Sequence, residues 1–116
     1  MVKKTFRKNE RLCSTKVIGG LFDRKDSAND GVFAYPVRAV FRHSEEETTQ
    51  VLFSVPKRQF KHAVDRNLIR RRMKEAYRLH KVQLPGQYYI AFIYVGKKIE
   101  DYAIIEKGMK NCLKKL

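Results

Sequence analysis

The chain has 116 residues, 43% of them apolar, which is the length of one domain with material for a core. Its 26 basic and 12 acidic side chains leave a formal net charge of +14, which calls for a polyanionic partner, nucleic acid before an anionic membrane. No apolar run reaches the roughly 20 residues needed to span a bilayer, and the basic start Met1-Val-Lys-Lys-Thr-Phe lacks the apolar stretch of a signal peptide.

Asn9 is placed to cap a helix running through Glu10, Leu12, Val17, Ile18, Leu21 and Phe22. Gly19 and Gly20 weaken that helix or mark a close approach. Asp26 to Gly31 reads as a loop, and Val32 to Phe41 as a strand interrupted or entered at Pro36. His43 to Thr49 is an acidic connector, Gln50 to Val55 a second strand ended by Pro56, and Lys57 to His62 a basic loop. A helix follows from about Val64 to His80. On a wheel of about 100° per residue, Ile69, Met73, Ala76 and Tyr77 form a core stripe. Arg66, Asn67, Arg70, Arg71, Lys74 and Arg78 fill the adjoining arc. Leu84-Pro85-Gly86 breaks the chain. Gln87 to Val95 is apolar along its length and reads as a strand buried on both faces. The last helix, Ile99 to Leu116, turns Ile104, Ile105, Met109, Cys112 and Leu113 inward, and Lys110, Lys114 and Lys115 suit its C-terminal dipole. The order α-β-β-α-β-α gives an α+β fold, a small mixed sheet packed with helices, in a single domain spanning residues 1–116.

The arginine-rich stretch carries most of the functional information. Five of the thirteen residues from Ala63 to Glu75 are Arg or Lys. A solvated helix face normally mixes signs to gain i,i+4 pairs. Here Arg66, Arg70 and Lys74 follow one another at that spacing and repel, and only Glu75 offers local relief. Phosphates would relieve the strain, and the planar guanidinium binds them in a bidentate way. Most of the aromatic residues belong to the core. Phe22 and Tyr35, beside the loop and the strand start, are the better candidates to stack on unpaired bases. His43, His62 and His80 lack a metal-ligand spacing, and Glu45-Glu46-Glu47 reads as a solvated run. Cys13 and Cys112, far apart with no second pair, fit reduced thiols in the cytoplasm. Neither a glycine-rich phosphate loop nor a nuclease's acid, base or two-metal cluster is visible, so no residue is assigned to catalysis. These features alone leave open a ribosomal-type structural RNA-binding protein with no role in cleavage.

Phe53-Ser-Val-Pro-Lys-Arg followed by Ala63-Val-Asp-Arg-Asn-Leu-Ile-Arg-Arg-Arg-Met-Lys-Glu-Ala-Tyr-Arg resembles the signature of the bacterial ribonuclease P protein component. In that family a strand ending in Ser-Val leads through a short loop into an Arg-Asn-Arg run and a basic helix. The second arginine of the run is Leu68 here, whose side chain has no donor for a phosphate. The resemblance implies a ribosomal protein S5 domain 2-like fold with four strands and a left-handed βαβ crossover, against the usual right-handed rule. It implies a protein subunit of an endoribonuclease whose RNA subunit performs the chemistry, with Mg2+ held mainly by that RNA and the substrate. The reaction removes the 5′ leader of precursor tRNA. The expected partners are therefore the catalytic RNA subunit and precursor tRNA, with neither a membrane nor a protein partner implied, in the cytoplasm. Carried over by position, Lys57, Arg58, Lys61, Arg66, Asn67, Arg70, Arg71 and Lys74 would bind the RNA subunit. Ile18, Phe22, Tyr35, Arg38 and Val40 would receive the leader.

Overall fold

A computed structural model describes residues 10–12, 15–22, 29–44, 48–81, 84 and 86–116. The elements are α1 (Thr15–Leu21), β1 (Asp30–Ala34), β2 (Val37–His43), β3 (Gln50–Ser54), α2 (Ala63–His80), β4 (Tyr88–Tyr94) and α3 (Tyr102–Lys114). The strands form one mixed sheet in the order β1-β2-β4-β3. β2 pairs antiparallel with β1 and β4, whereas β3 runs parallel to β4, with α2 as the crossover between them.

Strand alternation divides the apolar residues between two faces. Val37, Ala39 and Phe41 of β2, Val51 of β3, and Ile90, Phe92 and Tyr94 of β4 point to one side. There they meet Ile69, Met73, Ala76 and Tyr77 of α2 and Ile105, Met109, Cys112 and Leu113 of α3. The other side carries a smaller cluster in which Leu12, Leu21 and Ala91 are buried, with Val17, Ile18, Val40, Leu52 and Tyr89 against them. The sheet is thus the middle of three layers, between α2–α3 and α1. That is why β4, a central strand, is apolar along its length. The stripe read for α2 is its buried face, residue for residue.

Four expectations change. The helix expected from Asn9 begins at Thr15; Asn9 itself lies outside the described residues. Arg11 instead forms a parallel bridge with Val51, and the Leu12 N–H donates to the Val51 carbonyl at 2.9 Å. The outer edge of β3 offers ladder partners that a helix through Glu10 would forgo. Glu10 is held separately, 2.6 Å from the Lys81 ammonium. Second, the stretch Val32 to Phe41 is a hairpin of two strands with Tyr35 and cis Pro36 at its turn, which supplies the fourth strand. The Pro36 carbonyl accepts the Val95 N–H at 2.8 Å. Third, Asp30 and Gly31, expected in a loop, open β1. Last, α3 starts at Tyr102 rather than Ile99, and Ile104 faces outward at 40% exposure. Its inward stripe runs through Ile105, Gly108, Met109, Cys112 and Leu113, leaving Ile104 about 100° around the helix.

Candidate nucleic-acid interface

The β3–α2 connection is pinned to the helix it precedes. Phe60 is buried, and its N–H donates to the Pro56 carbonyl at 3.1 Å. One amino group of Arg66 donates to the carbonyls of Phe60 and Lys61, at 2.8 and 2.9 Å. Lys57, Arg58 and Lys61 are exposed on the loop so braced. Arg66 therefore has a structural task besides its charge.

Farther along α2, Asn67, Arg70, Arg71 and Lys74 line a hollow of about 420 Å³ whose opposite wall is Arg11, Leu12 and residues 51–53 of β3. Asn67 accepts a hydrogen bond from Arg70 at 2.8 Å, which orients that guanidinium. The wheel arc thus becomes a cationic wall beside the sheet edge. Arg78 leaves the arc by pairing with Glu75 at 2.5 Å, and that guanidinium holds the Glu75 carboxyl below its usual pKa range. Arg72 is spent on the Glu100 carbonyl at 2.6 Å and ties α2 to the segment before α3. Leu68 is half-buried.

Residues expected at the leader site separate into four places. Ile18 and Val40 meet in the small core beneath α1, both half-buried. Phe22 follows α1 and is 46% exposed, while its neighbour Leu21 does the packing. Arg38 is exposed on β2, within a row that the registers carry across all four strands: Phe33, Arg38, Ile93 and Ser54. This row shares the α1 side of the sheet and forms an open shelf. At Ile93 the shelf adjoins a hollow lined also by Pro56, Lys57, Arg58 and Val95, so shelf and basic loop are continuous. Tyr35 stands apart at the hairpin turn. Desolvation, and then the hydrogen-bonded Glu100 carboxylate, raise its hydroxyl pKa.

Two participants escape a reading by position. Phe33, 54% exposed, is the most exposed aromatic of the shelf. Its alternation with Val32 and Ala34 would have exposed it once Pro36 was taken as a turn. Arg42 donates to Asn29 at 2.8 Å, and Asn29 donates to the Gly20 carbonyl at 2.5 Å, tethering the end of α1 to β2. A Cβ on Gly20 would lie 3.1 Å from that guanidinium, so Arg42 makes the close approach at Gly20, whereas nothing lies within 4 Å of a Cβ on Gly19.

Comparison with known proteins bears on the family and the fold. The ribonuclease P family model matches residues 6–116. The ribonuclease P protein component of Porphyromonas gingivalis is 34% identical over 116 residues, covering 91% of this chain and 82% of that protein. That of Chlorobium phaeobacteroides is 37% identical over 82 residues, 69% of this chain and 56% of its own. Among solved structures, the RNase P protein of Thermotoga maritima superposes with a TM-score of 0.77 at 20% identity, covering 92% of this chain and 97% of that one. The Staphylococcus aureus RNase P protein gives 0.75 at 20% identity, with 90% and 93% covered. Those two likenesses speak for the fold; the family model and the sequence relatives speak for descent, and the chain belongs to the bacterial ribonuclease P protein component family.

Proposed function

We propose that this chain binds the catalytic RNA subunit of ribonuclease P through the basic loop and the α2 wall, and receives the single-stranded 5′ leader of precursor tRNA on the shelf beside α1. Membership of the family makes it part of a tRNA-maturing endoribonuclease. The observation that carries the finer reading is the wall of Asn67, Arg70, Arg71 and Lys74 against the β3 edge. It gathers like charges whose mutual repulsion bound phosphates would relieve.

The protein's work in this reading is electrostatic. It offsets the repulsion between two polyanions, the RNA subunit and the substrate, and so lowers the metal concentration their close approach needs. Among the described residues no group of three or more His, Cys, Asp or Glu stands together to hold a metal ion. In this reading Mg2+ is held by the phosphates of the RNA subunit and the substrate. No helix among the described residues is long and apolar enough to cross a membrane, and the site of action that suits the substrate is the cytoplasm.

Reconstitution tests the reading. With a bacterial ribonuclease P RNA at low magnesium, the protein should restore cleavage at the mature 5′ end, and alone it should cleave nothing. Robust cleavage by RNA-free protein would overturn it. So would an RNA subunit whose magnesium requirement does not move.

A further inference from the structure

A second cationic surface lies at the opposite edge of the sheet from the α2 wall. Phe33, Tyr35, Ile104, Lys107, Asn111 and Lys114, with Lys115 beside them, line a hollow of about 650 Å³ between β1 and α3, within the range of pockets that hold small organic groups. Phe33, Tyr35 and Ile104 are 54%, 51% and 40% exposed. The Lys115 ammonium donates to the Phe33 carbonyl at 2.6 Å and fixes the helix end against the strand. The helix dipole accounts for Lys114 and Lys115, but Lys107 sits in the middle of α3. Its neighbours at three and four residues are Ala103, Ile104, Lys110 and Asn111, none of them acidic. Like charges thus stand together on this face of α3, and half-exposed aromatic side chains accompany them.

We infer that this hollow holds the distal part of the single-stranded leader. The inference rests on the functional reading above and extends it. Continuity argues for that occupant. Phe33 lines the hollow and also ends the shelf row, directly opposite Arg38. A strand leaving the shelf over β1 meets the hollow next. Phe33 and Tyr35 offer surfaces for bases, and Lys107 and Lys114 offer charges for phosphates, the combination that binds single strands without sequence preference.

The test uses the reconstituted holoenzyme with Lys107→Ala/Lys114→Ala protein and precursor tRNAs bearing either a long leader or one of only a few nucleotides. Both lysines are exposed, so the melt should match wild type. Two lost single-strand contacts, each with a log–log salt slope of about 0.7, should weaken long-leader binding about tenfold near 0.15 M salt and flatten the slope by about 1.4. Binding and cleavage of the short-leader substrate should stay as in wild type. Unchanged long-leader affinity would overturn the inference. Equal losses on both substrates would also overturn it, by assigning the surface to the RNA subunit or the tRNA body. If wild-type holoenzyme fails on the short-leader substrate as well, the functional reading falls, and the inference with it.

Discussion

At the scale of single residues, the arginines of α2 differ in task although they share a helix. Arg66 braces two loop carbonyls, Arg72 clips Glu100, Arg78 pairs with Glu75, and Arg71 is exposed at the wall. Arg66→Ala should therefore lower stability as well as RNA affinity. The stability loss should be about 1 kcal/mol, the usual net worth of a hydrogen bond, because Arg66 is only half-buried. Arg71→Ala should leave the thermal melt alone and lessen the log–log salt slope of RNA binding by up to about 0.9, the share of one duplex phosphate. Ile69 is fully buried, and its truncation to alanine should cost roughly 2–5 kcal/mol. Melts paired with salt-titrated binding separate the three. An Arg71 variant that melts early would place that side chain in the fold. The wheel made the wall legible, because Asn67, Arg70, Arg71 and Lys74 need only their spacing to share a side. The clips were not legible, because their partners are carbonyls at residues 60, 61 and 100, and sequence does not say which backbone oxygens lie near.

At the scale of elements, segments with a strong apolar pattern were the readable part of the chain. α2 lies within a residue of its expected ends because many side chains vote for one period, and β4 does because its whole run is apolar. Short segments were decided by neighbours. Residues 11–12 follow the edge of β3 instead of continuing α1, and Pro36 turns a hairpin where a single interrupted strand was expected. The last helix shows how one small residue sets a packing direction. A Cβ on Gly108 would come within 2.9 Å of the Ala34 and Tyr35 carbonyl oxygens and of the Pro36 ring. Glycine inside a helix costs roughly 0.5–1 kcal/mol relative to alanine, so an exposed Gly→Ala change would normally stabilise. Here the sign should reverse. Gly108→Ala has to push α3 off the hairpin turn, at a cost of about 1–3 kcal/mol for overpacking. A variant that melts above wild type would show that the turn yields, and that α3 does not depend on this approach.

At the scale of the whole molecule, the sheet separates two kinds of RNA contact. α2 and its wall pack on one side, and α1 with the shelf on the other. Among the described residues the basic loop and the β3 edge connect them. This layering predicts that the two contacts can be removed independently. Phe22→Ala should keep the fold, since Leu21 at 2% exposure closes α1 onto the sheet and Phe22 does not. It should weaken binding of leader-bearing precursor tRNA by about 1–3 kcal/mol if one base stacks there, and leave binding of mature tRNA unchanged. Arg70→Ala should instead weaken assembly with the RNA subunit whatever the substrate carries. Combined in one protein, the two free-energy losses should add to within about 0.3–0.5 kcal/mol, as they do for sites that share no partner. Circular dichroism and melts first establish that each variant is folded, and holoenzyme binding then measures the four corners of the cycle. A coupling well beyond that margin would mean that one continuous stretch of RNA touches both sides around the β3 edge. An equal loss from Phe22→Ala on mature tRNA would remove Phe22 from the leader path.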